Sequence, residues 1–171
     1  MKEFNKIFVC GLSRTGTKSV GDYLQQLGLK IKHNGGQIFN PHEIQNIDVL
    51  LDDKQTQFCY ERLHSYFPNS LFIYTNRNDE SWVNKIINWK PDYSYIFHQM
   101  FSVVFPSPDS EDALYKFKRE HLKRFKAFTS NLNSDRILYL DLEDSEKGKK
   151  VCKFLNVKYN SNIEYPSVKY R

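Results

Sequence analysis

An apolar run, a polar loop bounded by glycines and the start of a helix follow one another in "FVCGLSRTGTKSV", Phe8 to Val20. The run is apolar on both faces, which suits a strand buried inside a parallel sheet. A loop leading from such a strand into a helix gathers backbone N–H groups, and the helix start adds a positive partial charge. Gly11 and Gly16 let the backbone turn and approach a ligand closely. Ser13, Arg14, Thr15, Thr17, Lys18 and Ser19 complete the loop with hydroxyl and cationic donors. These residue types in this order describe a cradle for phosphate or sulfate.

The loop differs from a Walker A motif, which needs G-x-x-x-x-G-K-[ST]. Gly11 and Gly16 have that spacing, but Thr17 follows Gly16 and Lys18 comes one place late. One residue along a helix is about 100° of rotation, so Lys18 is turned away from the usual β/γ-phosphate position. Arg14 sits inside the loop instead, two residues before Gly16. A catalytically inactive nucleotide-binding homologue is one alternative reading, and a P-loop kinase or NTPase using Mg-ATP is another. In its favour, "ILYLD", ending in Asp141, and "VLLDD" both imitate a strand that carries magnesium.

Further along the chain, apolar strands and amphipathic helices alternate. "KIKHNGG", "IDVLLDD", "SLFIYTNRN" and "RILYLDLED" read as strands, or strands running into loops. "NPHEIQ" has a helix-start signature, with Asn40 as cap and Pro41 first. "QTQFCYERLHSYFP", "DESWVNKIINW" and "SEKGKKVCKFLNV" read as helices. "ALYKFKREHLKRFKAFTSNL" is a long amphipathic helix with Leu114, Phe117, His121, Phe125 and Phe128 on one face and its lysines and arginines elsewhere. Lys90 to Asp112 is rich in aromatics and prolines and reads as a loop or loosely helical flap over the acceptor. This alternation predicts a single three-layer α/β domain over residues 1–171 with a mainly parallel central sheet.

A net charge of +5 over 171 residues favours anionic ligands without the dense basic patch of a nucleic-acid binder. Cys10, Cys59 and Cys152 are odd in number and far apart, which suggests neither a disulfide framework nor a zinc site. Each is expected to act as a small core residue. No stretch is apolar and long enough to span a bilayer, and the first residues do not form a signal peptide. The expected setting is cytoplasmic, with no nucleic-acid or membrane partner and no metal.

"GLSRTGTKS" resembles the phosphosulfate-binding loop of the sulfotransferases, where a basic residue lies two places before the second glycine and hydroxyl residues follow. "FPNSLFIYTNRNDESWVNKI" resembles that family's second nucleotide motif, in which a strand ends in an arginine that binds a 3′-phosphate. "RILYLDLEDSEKGKKVCKFLNV" is similar to its closing strand and helix, and "IEYPSVKYR" to the end of a short soluble subgroup. The resemblance implies a transferase that takes its sulfuryl group from 3′-phosphoadenosine 5′-phosphosulfate (PAPS) and gives it to a small-molecule or sugar hydroxyl. It implies that Ser13 to Ser19 hold the 5′-phosphosulfate and that Arg77 holds the 3′-phosphate. The family usually has a serine eight residues after that arginine; here the position is Lys85, a point charge able to bind phosphate. Ser81 lies one helical turn earlier.

Transfer to a hydroxyl needs a proton acceptor. His33, after the second strand, is the first candidate, with Asp52 and Asp53 of "VLLDD" as alternatives. His42, Glu43 and His98 are weaker candidates, and His121 reads as a satisfied core residue. Trp82 and Trp89 are expected in the core, although either has the shape to stack on adenine.

Overall fold

The computed structural model describes residues 3–33, 41–88 and 111–166. Five strands form one sheet: β1 (Ile7–Val9), β2 (Ile31–His33), β3 (Val49–Leu51), β4 (Leu71–Asn76) and β5 (Ile137–Asp141). Their order is β2-β3-β1-β4-β5, and every pairing is parallel. Six helices accompany them among the described residues: α1 (Thr17–Gln26), α2 (Lys54–Phe58), α3 (Tyr60–Tyr66), α4 (Asp79–Ile87), α5 (Glu111–Thr129) and α6 (Lys147–Phe154). This is the expected α/β architecture, with a sheet that is wholly rather than mainly parallel.

Alternation along the strands divides the core in two. Ile7, Val9, Val49, Leu51 and Ile73 face α1 and α6, where Val20, Leu24, Val151 and Leu155 meet them. Phe8, Leu50, Phe72 and Tyr74 face the other way, toward Tyr60, Leu63 and Phe125. Both faces of the central strands are covered, which explains why their sequences read as unbroken apolar runs. A third cluster joins Leu12 of the opening loop to Trp82 and Val83 of α4 and Leu114 and Phe117 of α5. It lies under the site and ties the loop to the two helices behind it.

Local departures from expectation have physical causes. The segment read as one helix after β3 is two, α2 and α3, broken at Cys59, whose φ of −123° and ψ of 35° lie outside the helical region. Cys59 is exposed, unlike the buried Cys10 and Cys152, so the core reading of the cysteines holds for two of three. The helix start at "NPHEIQ" is a four-residue 3-10 turn, Pro41–Ile44, and its expected cap Asn40 lies outside the described residues. Lys118 of α5 does not join the other cations on the wet side. It is only 4% exposed.

In a parallel sheet every strand ends at the same edge, and ligands bind there, where the direction of winding reverses. The chain passes from β1 leftward to β2 and β3, then crosses β1 to reach β4. The reversal therefore falls beside β1, whose C-terminal end leads into the glycine-bounded loop.

Candidate active site

Three strand ends carry the site. The loop after β1 is held in shape by contacts that leave little freedom. The Thr15 hydroxyl bonds to the Leu12 carbonyl and shares a 2.7 Å hydrogen bond with Thr75 Oγ1. Trp82 donates its Nε1–H to the Ser13 carbonyl at 3.0 Å. A Cβ on Gly11 would fall 1.8 Å from Thr75 Oγ1 and 2.5 Å from the Thr75 carbonyl oxygen, so no other residue fits between the loop and β4. Gly16 has φ of 97° and packs within 2.6 Å of Leu142 at the place a Cβ would occupy. Arg14 also adopts positive φ, 70°, a strained state for a residue with a side chain and one that collects at ligand sites.

Helix α1 begins directly behind Gly16. No side chain caps it, and its first turn holds no acidic residue. Its first N–H groups thus keep the anion-attracting character of a helix start. Thr17 and Ser19 are buried against the loop. Lys18 points outward, 72% exposed, and pairs with Asp22 one turn along at 3.1 Å. This is the consequence of its late position in the motif.

The turn after β4 brings Arg77 to the same place. Arg77 is 4% exposed. It donates from Nε to Ser81 Oγ at 2.8 Å and from Nη1 to the Arg14 carbonyl at 3.3 Å. Asn78 caps α4 by accepting from the Ser81 N–H. Ser81 therefore meets Arg77 directly, and Lys85 follows one helical turn further along α4.

His33 and Asp52 close the opposite side. His33 pairs with Leu51 in the β2–β3 register, which sets its ring beside the next residue of β3's chain. His33 Nε2 lies 2.9 Å from Asp52 Oδ2. A carboxylate only accepts, so Nε2 carries the proton and Nδ1 is left as the acceptor. The hydrogen bond to Asp52 raises the His33 pKa above its usual value, against partial burial, which lowers it. Asp52 has φ of 59°, and its Oδ1 receives Gln57 Nε2 at 3.3 Å and Ser13 Oγ at 3.4 Å. Gln57 Nε2 also reaches Ser13 Oγ at 3.2 Å. Through these bonds the histidine–aspartate pair is joined to the anion loop.

The two neighbouring aspartates have separate lives. Asp53 is buried and caps α2, accepting from the Gln55 and Thr56 N–H groups and from the Thr56 hydroxyl. Burial pushes its pKa up to about 6, with those hydrogen bonds opposing the rise. Its oxygens are occupied by the cap, whereas Asp52 meets His33, Ser13 and Gln57. Asp141, the imitation of a magnesium-carrying residue, ends the outermost strand, separated from β1 by β4, and accepts from Asn76 Nδ2 at 2.9 Å.

His121 is the core residue expected. Tyr74 OH lies 2.8 Å from its Nδ1, its Nε2 meets the Gln57 carbonyl, and burial pulls its pKa down to about 4. Trp82 is wholly buried, which removes it as a platform for adenine. Trp89, His98 and most of the 90–112 flap lie outside the described residues. Glu43 is exposed on the 3-10 turn and takes no part in the network above. Among the described residues, no group of three or more His, Cys, Asp or Glu side chains is arranged to hold a metal ion. No described helix is long and apolar enough to cross a membrane.

Sequence reasoning missed Gln57 and the structural use of Trp82 and Lys118. Only Lys118 had a signal, since it falls four residues after Leu114 and three before His121, inside the apolar arc.

An all-parallel α/β sheet with an arginine-bearing, glycine-bounded loop at its switch point defines the class: an α/β P-loop-type fold. Comparison with known proteins adds a match over part of the chain. Residues 6–58 match the family model of a sulfotransferase domain. The matched segment contains β1, the anion loop, α1, β2, β3 and α2, and so includes Arg14, His33 and Asp52. Over that segment the chain is similar to a sulfotransferase domain. No curated protein matches the chain.

Proposed function

We propose that the protein moves a sulfuryl group from PAPS to a hydroxyl of a small-molecule or carbohydrate acceptor. The observation that carries this reading is the junction of Arg77 with the backbone of Arg14. It joins two cationic segments, from two different strands, at an uncapped helix start.

The residues fit a nucleotide with anionic groups at both ends of its ribose. Ser13 to Ser19, with the start of α1, would hold the 5′-phosphosulfate. Arg77, with Ser81 and Lys85 on α4, would hold the 3′-phosphate. When bound, the donor supplies a sulfuryl group attached to a phosphate leaving group. Arg14 and the α1 N–H groups would stabilise negative charge on that phosphate, by fixed dipoles rather than by reorganised water. His33 Nδ1 takes the proton from the acceptor hydroxyl, and Asp52 holds the opposite N–H and steadies the imidazolium that forms. Two buried free thiols, Cys10 and Cys152, are in keeping with a reducing, cytoplasmic setting.

Calorimetric titration with adenosine 3′,5′-bisphosphate, the desulfated product, tests the assignment. Arg14→Ala and Arg77→Ala are each expected to weaken binding at least tenfold, the scale of a lost charge-assisted contact of about 1.5–3 kcal/mol. Unaltered affinity in both variants, or magnesium-dependent ATP binding in their place, would refute the site.

A further inference from the structure

A buried charged group lies outside the loop and outside the matched segment. Lys118 sits mid-way along α5 and is buried, as is Arg77. Its Nζ donates to the backbone carbonyl of Arg77 and to the Asp79 carboxylate. Both partners belong to the turn joining β4 to α4, some 40 residues earlier in the chain.

Burying an ammonium group costs several kcal/mol even when it is paired, and a well-packed apolar side chain is often the more stable choice. The neighbours of Lys118 on the same helical face, Leu114, Phe117 and Phe125, are apolar. A lysine in that row is therefore poorly explained by packing. What it does achieve is geometric. It grips the carbonyl of the very residue whose guanidinium reaches Ser81 and the anion loop. The Asp79 carboxylate, at the first position of α4, balances the charge.

We propose that Lys118 is a positioning residue for Arg77, and that through it α5 sets the affinity of the site for the 3′-phosphate of the nucleotide. The proposal rests on the sulfotransferase reading above. Lys118 fixes the backbone of the turn, Ser81 fixes the guanidinium, and the two together hold Arg77 in the conformation that meets an anion. The 5′ half of the site, formed by the loop after β1, has supports of its own in Thr15, Thr75 and Trp82 and depends on Lys118 less.

Calorimetry with two probes separates the possibilities: adenosine 3′,5′-bisphosphate and adenosine 5′-monophosphate, against wild type, Lys118→Met and Lys118→Arg. Wild type is expected to prefer the bisphosphate. Lys118→Met is expected to lose roughly tenfold in affinity for the bisphosphate, as a misplaced binding group does, with a clearly smaller loss for the monophosphate. Lys118→Arg is expected to recover part of the loss. Should Lys118→Met not fold, Asp79→Asn removes the ion pair while leaving the lysine stem in place, and the same selective loss is expected. If wild type discriminates between the probes but the variants weaken both equally, or neither, the role assigned to Lys118 is wrong. If wild type itself binds both probes equally, the sulfotransferase reading falls and this proposal with it.

Discussion

Arg77 donates a hydrogen bond from Nη1 to the backbone carbonyl of Arg14 at 3.3 Å, joining two strand ends that lie 63 residues apart. The guanidinium is thereby aimed at the loop rather than at solvent. Arg77→Lys keeps a positive charge but loses the planar fork that serves Ser81 and Arg14 together. Its affinity for adenosine 3′,5′-bisphosphate is expected to fall about tenfold, the equivalent of about 1.4 kcal/mol. Calorimetry that returned wild-type affinity would separate the arginine geometry from binding.

The space between the loop and β4 admits only a hydrogen at Gly11. Gly11→Ala would drive a methyl group into Thr75 Oγ1 and its carbonyl. A destabilisation of about 2 kcal/mol or more is expected, typical of overpacking a rigid site, together with loss of nucleotide binding. Chemical denaturation of Gly28→Ala provides the comparison. Its Cβ meets nothing within 4 Å, so only the cost of its φ of 90° remains.

Asp52 raises the His33 pKa by accepting its Nε2–H. In the proposed role of base His33 would work only when deprotonated, so turnover is expected to rise with pH through a value above the ordinary 6.5 for histidine. In Asp52→Asn the partner charge is gone. The pKa read from the His33 Hε1 resonance is expected to fall, and the rising limb of the rate profile to move to lower pH with a smaller maximum rate. A His33 resonance that titrates identically in both proteins would show that the pair does not act together. For stability the sign is opposite. A raised histidine pKa contributes below the unfolded value and is lost as pH rises through the folded one.

His121 titrates in the reverse sense. Its folded pKa, about 4, lies below the unfolded value of 6.5, so its contribution is present above 6.5 and lost as pH falls toward 4. Between pH 7 and pH 5 this amounts to roughly 2 kcal/mol. Urea unfolding of wild type and His121→Gln at both pH values isolates it from the opposing shifts of His33 and Asp53. The advantage of wild type should shrink on acidification, and an advantage independent of pH would show that His121 is not held neutral in the core.

Removing the Trp82 Nε1–H while keeping an aromatic ring is the mildest test of loop support. Trp82→Phe loses the bond to the Ser13 carbonyl and leaves a half-buried acceptor without that donor. A loss of about 1–3 kcal/mol in stability is expected. Nucleotide binding should weaken with it if the bond shapes the loop. Thermal unfolding with and without adenosine 3′,5′-bisphosphate measures both at once.

Much of this protein is legible in its residue order. Strand cores such as Ile7–Val9 and Leu71–Tyr74 are apolar on both faces because a central parallel strand is covered on both. The anion loop is legible because glycine and hydroxyl residues at fixed spacing answer a local backbone requirement. The displaced lysine is legible for the same reason: its direction follows from the helical period alone, and Lys18 does face Asp22 and solvent. What residue order left open was every relationship between residues far apart in the chain. Residue order put His33 first with Asp52 and Asp53 as alternatives, and only the β2–β3 register set the first two side by side while α2 claimed the third as its cap. Lys118 had the right helical phase for burial but the wrong chemistry for a core, and only the turn after β4 accounts for it. Local spacing determines which way a side chain leaves its own helix or strand. Which partner it then meets depends on how distant strands stack in the sheet, and that was decided by the tertiary structure.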